Sequence, residues 1–389
     1  MINFNFESPT RIHFGKGVEK EVCKNIVDSG YHKCLLVYGK GSIFKLGLYD
    51  ILIKGFKESN IQYYELGGIE ANPKIDKVRT GVSIVKENNI DLILAVGGGS
   101  VIDTAKSIGV GACVDFDPYL FNMGLKKPEQ SVPVWTILTI SAAGSELSNS
   151  CVISDPERNL KRGFNSDIIR PEVSFLNPEL TYSVSPYQTA CGIVDILMHT
   201  LERYLVEDDF TITKNIAAGV MKTVLAEGKI VLEKPFDYDA RANLMLASSL
   251  SHNGLTNLGL KMFFTVHKLE HELSGFYDEV AHAAGLSILY PAWARYVVKN
   301  HQKLFQKFAA EVLGLGLTND PLKDALMGID YLENYFKEIG MPTRLSDLNI
   351  PSIDILAMAK SATDNGQKEI LGIENLTMDD VIKIYESAK

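Results

Sequence analysis

The chain has 389 residues, of which 46% are hydrophobic and 22% charged, so it can bury a large core and is long enough for two domains. Its net charge is −9 and its pI is about 5.5, and no basic run offsets this acidic balance, which argues against nucleic acid or an anionic membrane as partner. We therefore expect a small-molecule substrate.

Neither the cysteines nor the N-terminus indicates export. The five cysteines are odd in number, widely spaced and without a Cys-x-x-Cys pair, which is typical of reduced thiols. The first residues lack a basic region followed by an apolar one, and no stretch approaches the ~20 apolar residues of a membrane span. We expect a cytoplasmic protein.

Strand and helix patterns alternate through the first half of the chain. In chain order, the patterns predict strands at 4–14, 33–38 and 61–66, a helix that ends at 58, a helix at 74–88, and strands at 91–96, 132–139, 152–153 and 173–176. The unbroken apolar run at 91–96 is typical of a strand covered on both faces of a parallel sheet. The alternation predicts an α/β layer fold with a mostly parallel sheet.

The pattern changes after Pro186. Strand-like runs nearly vanish, and helical periods dominate to Lys389. We therefore place a domain boundary between residues 180 and 186. The prediction is an α/β domain at 1–183, followed by an all-α domain at 184–389.

A glycine-rich turn follows the strand at 91–96. Such a turn before a helix presents backbone N–H groups and the positive end of the helix dipole to an anion, which predicts a phosphate site. The usual dinucleotide fingerprint has a third glycine where this chain has Ile102, so a generic turn stays open as the alternative. The candidate phosphate contacts are Gly97, Gly98, Gly99 and Ser100.

Other polar residues join this candidate site. Asp103 falls in the first turn of the following helix, where the dipole favours a carboxylate that would nevertheless repel a close phosphate. It either caps the helix or faces the nicotinamide side of a dinucleotide. The run from Thr139 to Glu146 also follows a strand, and Thr139 and Ser145 offer hydroxyls to a ligand. By itself this run predicts only a loop and a helix start.

In the second half, acidic and histidine residues recur at metal-ligand spacing. Asp195 and His199 are four residues apart and share a helix face, and His267, His271 and His282 follow. One carboxylate with several imidazoles suits Fe(II) or Zn(II) better than Mg²⁺ or Ca²⁺, which prefer oxygen ligands. Any one such pair is more often structural, but the combination predicts a divalent-metal site.

Four motifs occur in a distinctive order. They are Gly-Gly-Gly-Ser-x-x-Asp-x-x-Lys from Gly97 to Lys106, Thr-x-x-x-x-Gly-Ser-Glu from Thr139 to Glu146, Ala-x-Gly-x-x-Asp-x-x-x-His-x-x-Glu from Ala190 to Glu202, and the three later histidines leading into Leu289-Tyr-Pro291. In this order the whole chain resembles the iron-containing alcohol dehydrogenases, and within them the butanol dehydrogenase branch.

The resemblance implies a metal-dependent alcohol dehydrogenase or aldehyde reductase that transfers hydride between a nicotinamide cofactor and a short- to medium-chain primary alcohol or aldehyde. It implies that Asp195, His199, His267 and His282 bind Fe(II) or Zn(II), and that His271 stands beside the nicotinamide and substrate. A near-neutral imidazole can carry a proton, so we predict that His271 is catalytic. The alternative is a core histidine satisfied by hydrogen bonds.

The sequence departs from the family pattern near two of these motifs. The interval from His267 to His282 is one residue longer than usual, which leaves Asp278 or Glu279 as alternative last ligands. Before Gly-Ser-Glu, the family usually has a threonine where this chain has Ala142-Ala143, which removes a hydroxyl near the cofactor phosphates.

A third departure bears on the cofactor. NAD-preferring sites usually place an acid at the end of an early strand, where it binds the ribose 2′-OH and repels a 2′-phosphate. Here the strand ends at Tyr38 and is followed by Gly39, Lys40, Gly41 and Ser42, without an acid, and Lys40 replaces a glycine common in the branch. We therefore expect NADP(H) to be favoured over NAD(H), unless this is an exposed turn in which Lys40 touches nothing.

Two other functions stay open. Sugar-phosphate cyclases such as dehydroquinate synthase have a similar architecture and are lyases that use NAD and zinc, but they need many Lys, Arg and Asn side chains, and the candidate cleft segments offer few. A non-catalytic nucleotide-binding protein is the other alternative. We also expect a homodimer, because an exposed edge strand from Phe4 to Phe14 can pair with another chain.

Overall fold

The computed structural model describes all residues from 1 to 389 and divides into two compact units. The α/β unit comprises Glu7–Ser185 and Lys234–Asn253, and the helical unit comprises Met1–Phe6, Pro186–Glu233 and Gly254–Lys389. The division after Ser185 lies two residues from the predicted boundary. The predicted ranges need correction elsewhere, because Lys234–Asn253 belongs to the α/β unit and Met1–Phe6 to the helical one.

Eight strands lie in the α/β unit. They are β1 (Arg11–Phe14), β2 (Lys33–Gly39), β3 (Gln62–Ile69), β4 (Leu92–Gly97), β5 (Val134–Leu138), β6 (Ser150–Asp155), β7 (Leu160–Asn165) and β8 (Val173–Leu176). Six of them form one sheet in the order β1-β8-β5-β4-β2-β3, and every neighbouring pair in it is parallel. The predicted parallel α/β fold is confirmed. β6 and β7 form a separate antiparallel pair.

The helices divide between the two units. Those of the α/β unit are α1 (Val22–Asp28), α2 (Ser42–Lys45), α3 (Leu48–Glu58), α4 (Ile75–Asn88), α5 (Gly99–Gly111), α6 (Tyr119–Asn122) and α9 (Tyr238–His252). Those of the helical unit are α7 (Pro186–Tyr204), α8 (Thr211–Glu233), α10 (Thr265–Phe276), α11 (His282–Val297), α12 (Gln302–Glu311), α13 (Pro321–Glu338), α14 (Ile355–Ala362) and α15 (Met378–Ser387).

The central strand β4 explains why the sheet is buried on both sides. Ile93 and Ala95 point into one apolar cluster, whereas Leu92, Leu94 and Val96 point into the cluster on the opposite face. Successive side chains of a strand alternate between faces, so an uninterrupted apolar run fits only a strand with both faces covered. Because β4 is fully buried, the turn at its carboxyl end is held in a fixed position.

The edge strand predicted at 4–14 is mostly wrong. Only Arg11–Phe14 forms a strand, which pairs in parallel with β8 at the edge of the sheet. Pro9 lies within the missing part, and a proline offers no N–H for a strand ladder. The hydrophobic pattern at 4–14 therefore overestimates the strand.

Helix α9 packs in the α/β unit against the loop that follows β5. Gly144 has a φ of 65°, and a Cβ added there would lie 2.4 Å from the carbonyl oxygen of Ser248 on α9. The Ser248 hydroxyl also bonds both backbone groups of Ala142 at 3.1 Å. A glycine is needed at position 144 because both the backbone conformation and the adjacent helix exclude a side chain.

Candidate active site

Helix α7 carries the first two candidate metal ligands. It begins at Pro186, a residue whose fixed φ suits the first turn of a helix. Asp195 and His199 are both buried, and His199 Nε2 lies 3.4 Å from Asp195 Oδ1. The spacing of four residues therefore produces the shared face that the sequence predicts.

Two later helices bring further imidazoles to the same carboxylate oxygen. His267 on α10 has its Nε2 3.9 Å from Asp195 Oδ1, and His282, the first residue of α11, has its Nε2 at 3.7 Å. The longer interval before His282 thus does not remove it from the cluster. The alternatives Asp278 and Glu279 are exposed and belong to neither group of potential ligands.

The geometry fits a bound metal ion. Potential ligand atoms of Asp195, His267 and His282 all lie within 4.8 Å of one another, and ligands held tetrahedrally about 2 Å from one ion are separated by roughly 3.3 Å. Asp195 Oδ1 and His267 Nε2 are buried and have no hydrogen-bond partner. Buried polar atoms rarely stay unsatisfied, so these two indicate a missing partner.

The electrostatic field at the cluster also favours a cation. Burial disfavours a charged His267 ring, but the Glu202 and Asp195 carboxylates more than offset burial and raise the pKa of His267 to about 9. The same negative field that stabilises a protonated imidazole stabilises a metal ion bound to the neutral ring.

His271 lies beside the cluster rather than inside it. Its ring centroid is 5.6 Å from that of His282, and its side chain is half-buried. Potential ligand atoms of His271, Glu270 and His282 form a second close group that does not include Asp195. This position is compatible with a proton relay through His271, which stays a prediction.

Two glutamates of the site were not identified from the sequence. Glu202 on α7 contacts His267 Nδ1, and Glu270 on α10 contacts His282 Nδ1. Glu202 is the last residue of the motif that contains Asp195 and His199, and it follows His199 by three residues, so the sequence already places it on the same face of α7 as His199. For Glu270, the neighbouring histidines are the only sequence signal.

An aromatic side chain forms one wall of the cluster. The Phe264 ring lies edge-on to His199, at 5.7 Å between centroids, and to His267, at 5.0 Å. Trp293, by contrast, is buried in the helical core, where its ring contacts Phe305. Phe264 therefore contributes apolar surface beside His199 and His267.

In the α/β unit, β4 ends at Gly97 and α5 begins at Gly99, as the glycine-rich turn predicts. A Cβ at Gly98 would lie 2.3 Å from Ile140 Cγ2, and one at Gly99 would lie 3.2 Å from the Ala143 Cβ. The loop after β5 therefore leaves no room for side chains in this turn. The Val101 and Ile102 N–H groups donate to the Gly98 carbonyl, so Gly99 and Ser100 supply the N–H groups that this helix start leaves open to an anion.

Asp103 and Ser145 contact each other inside the α/β unit. The Ser145 hydroxyl donates to Asp103 at 2.6 Å, and the other Asp103 oxygen accepts from the Val152 N–H at 2.9 Å. Buried Lys106 donates to the Ser145 hydroxyl at 2.9 Å. These bonds fasten α5 to the loop after β5, so Asp103 and Ser145 hold the glycine turn in place.

Thr139 and Ser100 lie on either side of the turn. The Thr139 N–H donates to the Gly97 carbonyl at 3.1 Å and its side chain is buried, whereas Ser100 in the first turn of α5 is half-buried. Ser100 is thus the more accessible of the two hydroxyls.

Lys40 does not stand alone in its turn. Its Nζ lies 2.5 Å from Oε1 of Glu70, and Lys74 Nζ lies 3.3 Å from the other oxygen of Glu70. β2 and β3 are parallel, with Gly39 opposite Ile69, so the residues that follow these strands meet at the same sheet edge. The turn itself lacks an acid, but the neighbouring strand supplies one.

Family models match nearly the whole chain. The model described as iron-containing alcohol dehydrogenase matches residues 9–178, and the model of the C-terminal part of the Fe-containing alcohol dehydrogenase family matches residues 189–389. None of the helices is long and apolar enough to cross a membrane.

Individual relatives match over the full length. The NADH-dependent butanol dehydrogenase A of Clostridium acetobutylicum is 39% identical, and the NADPH-dependent aldehyde reductase YqhD of Escherichia coli is 34% identical, each covering 100% of both chains. The crystal structure of NADH-dependent butanol dehydrogenase A from Thermotoga maritima is 34% identical, with a TM-score of 0.95 over 100% of this chain and 99% of that one.

Proposed function

This chain belongs to the iron-containing alcohol dehydrogenase family and is an alcohol dehydrogenase or aldehyde reductase, and we propose that it interconverts short- to medium-chain primary alcohols and aldehydes of the butanol type. It uses a metal and a nicotinamide cofactor. The observation that carries the proposal is the convergence of three imidazole Nε2 atoms on Asp195 Oδ1. The relatives do not favour the cyclase or the non-catalytic alternative.

We propose Asp195, His199, His267 and His282 as the ligands of Fe(II) or Zn(II). Asp195 supplies the negative charge, and each histidine supplies a neutral nitrogen through Nε2. When bound, the metal polarises the substrate oxygen as a Lewis acid, while the nicotinamide carries the hydride. Phe264 excludes water on the side of His199 and His267 and offers an apolar surface to an aliphatic chain.

We propose that His271 accepts and releases the proton at its ring nitrogens. Its half-buried ring near His282 combines access to solvent with proximity to the cluster. Replacing His271 with Ala should lower kcat by roughly 10²–10⁴-fold, the contribution usual for general acid–base catalysis, with unchanged metal content. A loss of metal in this variant would instead make His271 a ligand.

We propose that the dinucleotide phosphates bind at Gly97, Gly98, Gly99 and Ser100, with Thr139 beside them. The start of α5 supports this role, because the N–H groups of Gly99 and Ser100 precede those of Val101 and Ile102, which donate to the Gly98 carbonyl, and so are available to an anion. Asp103 and Ser145 then act from behind the turn, through their bond to each other.

We propose further that NADP(H) is favoured over NAD(H), with Gly39, Lys40 and Ser42 near the 2′-phosphate. Lys40 and Lys74 together outnumber the single carboxylate of Glu70, so this edge keeps a net positive charge. The names of the relatives include both NADH-dependent and NADPH-dependent enzymes, so the choice depends on local residues.

Replacing Lys40 with Ala tests the cofactor proposal. The NADPH-to-NADH ratio of kcat/KM should exceed one in the native enzyme and fall roughly 5-fold in the variant, the size of an exposed charge interaction. Lys54→Ala removes a lysine from a comparable exposed pair with Glu58 and serves as the control. A native ratio below one would contradict the preference, and an unchanged ratio in the variant would remove Lys40 from its explanation.

The proposed reaction is tested with chelator-treated protein, butanal and NADPH or NADH, before and after anaerobic addition of Fe(II) or Zn(II). We expect no turnover without metal and recovery with at least one ion, which also identifies the effective metal. Nucleotide binding without turnover under either metal would contradict the proposal.

We also propose a cytoplasmic homodimer. β1 is an edge strand, and Ile12 and Phe14 on it are 38% and 40% exposed, as suits pairing with a second copy. The five cysteines form no disulfides and suit a reducing compartment. Light scattering coupled to gel filtration should give twice the mass of one chain, and Ile12→Lys should shift it toward the monomer.

A further inference from the structure

Two buried glutamates stand behind two of the proposed ligand histidines. Glu202 is 3% exposed and Glu270 is fully buried. In each case the carboxylate contacts Nδ1 of an imidazole whose Nε2 points toward Asp195 Oδ1, namely His267 for Glu202 and His282 for Glu270. The same arrangement thus occurs twice, with residues from different helices.

Glu202 is held by the start of a neighbouring helix. Phe264, at the N-cap of α10, provides no side-chain cap, whereas Glu202 reaches across from α7. One oxygen of Glu202 accepts from the Val266 N–H at 2.7 Å, and the other accepts from the His267 N–H at 3.3 Å. These bonds satisfy N–H groups that a helix start leaves open and fix the carboxylate against the His267 ring.

Glu270 occupies space left by a missing side chain. Gly285 lies on α11, one turn beyond His282. A Cβ built at Gly285 would lie 2.6 Å from Glu270 Cγ and 3.1 Å from Glu270 Oε1. An ordinary side chain at position 285 would therefore displace the carboxylate from His282.

The chemistry of these contacts fixes which nitrogen carries the proton. An ionised carboxylate only accepts hydrogen bonds, so the ring must donate from Nδ1, and a neutral imidazole then keeps its lone pair on Nε2. A carboxylate behind a ligating histidine also makes the ring more basic and holds its orientation. Burying two carboxylates costs folding free energy unless each has a partner, so their contacts with the two imidazoles indicate a specific role.

We propose that Glu202 and Glu270 are positioning residues, which fix the tautomer and orientation of His267 and His282 for metal binding, and that Gly285 is required for the second contact. This inference rests on the proposed metal site. It assigns roles to three residues that contribute no ligand atom to that site.

The first test measures metal affinity in the full-length protein rather than activity. Glu202→Gln and Glu270→Gln keep the side-chain volume but remove the charge, and an amide can donate to Nδ1 and so favour the wrong tautomer. Competition between Zn(II) and a chromophoric chelator should show 10–100-fold weaker binding in each variant. Glu272→Gln is the control, since Glu272 is buried on α10 like Glu270 but belongs to neither group of potential ligands.

The visible absorption of Co(II)-substituted protein separates positioning from folding. The two variants should change the intensity or wavelength of the Co(II) bands, while their metal-free circular dichroism and thermal unfolding stay close to those of the Glu272→Gln control. Wild-type affinity together with wild-type Co(II) bands in both variants would overturn the inference. Failure of the native protein to bind either ion would instead overturn the metal site itself.

Gly285→Ala tests the packing requirement separately. The added methyl should displace Glu270 and weaken Zn(II) binding to a degree similar to that of Glu270→Gln. Gly219→Ala on α8 is a matched control, because a Cβ there meets nothing within 4 Å. Equal Zn(II) affinity of the two alanine variants would remove Gly285 from the proposal.

Discussion

The glycine turn of the α/β unit and the histidine cluster of the helical unit differ in how their polar side chains are arranged. Around the turn, polar side chains bond one another, as Lys106, Ser145 and Asp103 do, and leave the backbone to meet a ligand. In the cluster, three imidazole Nε2 atoms lie near Asp195 Oδ1, and two buried atoms, Asp195 Oδ1 and His267 Nε2, have no hydrogen-bond partner. The polar groups behind the turn are thus satisfied by one another, whereas the proposed metal ion would satisfy the buried atoms of the cluster.

The largest expected effect comes from breaking the cluster at its centre. Asp195→Asn removes the carboxylate on which the three Nε2 atoms converge. Lewis-acid stabilisation contributes several kcal/mol, so kcat/KM with butanal should fall about 10³-fold or more, with loss of bound metal measured by elemental analysis. The metal-free variant should unfold at or above the unfolding temperature of metal-free native protein, because a buried charge is removed and neither protein has the stabilisation of a bound metal. Full metal occupancy with full activity would contradict the assignment.

Breaking the hydrogen bonds that join Lys106, Ser145 and Asp103 behind the turn should lower the stability of the protein rather than its metal content. Burial lowers the pKa of Lys106 to about 8 despite the nearby Asp103, and its ammonium donates to the Ser145 hydroxyl and the Ser148 and Ser150 carbonyls. Lys106→Met leaves these groups and Asp103 without their cation, which should cost about 3 kcal/mol in urea unfolding. The metal content of the folded variant should match the native value, and loss of metal would show that the two sites are not independent.

A smaller effect should follow from filling the glycine turn. Gly98→Ala places a methyl 2.3 Å from Ile140 Cγ2 and should cost about 1–3 kcal/mol of overpacking strain. Displacement of the turn should also weaken NADPH binding, measured by fluorescence titration, by roughly 10-fold. Adding Ile140→Ala should restore part of the lost stability and part of the lost NADPH affinity. Gly316→Ala is the control and should change neither quantity, because a Cβ at Gly316 meets nothing within 4 Å. No rescue by Ile140→Ala would argue against the clash.

The smallest effect should come from a pH-dependent group beside the network. Burial raises the pKa of Glu146, although the Ser249 hydroxyl bonds one of its oxygens at 2.6 Å and opposes the shift. A raised folded-state pKa contributes stability that is complete below the ordinary value of 4.5 and is lost as pH rises through the folded value. Glu146→Gln should therefore melt roughly 2 °C above the native protein at pH 8, with a smaller difference near pH 4.5. A melting-temperature difference between the variant and the native protein that grows toward low pH would contradict this pH dependence.

Much of the fold was predictable because it depends on local patterns. The run at 91–96 identified the central strand, since a strand covered on both faces must be apolar throughout. The position of α9 was not predictable, because helical periodicity shows which face is apolar but not which unit covers it. The pairing of Lys40 with Glu70 was missed for a similar reason, as it depends on β2 and β3 being neighbours.

The candidate site shows the same limit. Asp195 and His199 are neighbours on one helix, so their spacing alone brings them together. Glu270 meets His282 only because α10 and α11 pack closely at Gly285, and no sequence period records that contact. Geometry within a helix is therefore recovered from the sequence, whereas geometry between helices requires the tertiary structure.

The membership of α9 in the α/β unit has a consequence for synthesis on the ribosome. The segment Lys234–Asn253 completes a unit whose other residues end at Ser185, and the chain between them belongs to the helical unit. At ordinary translation rates this delay lasts roughly 3–14 s. During that time the loop at Ala142–Gly144 lacks the helix that covers it, so the α/β unit cannot complete its packing until Asn253 has been synthesised.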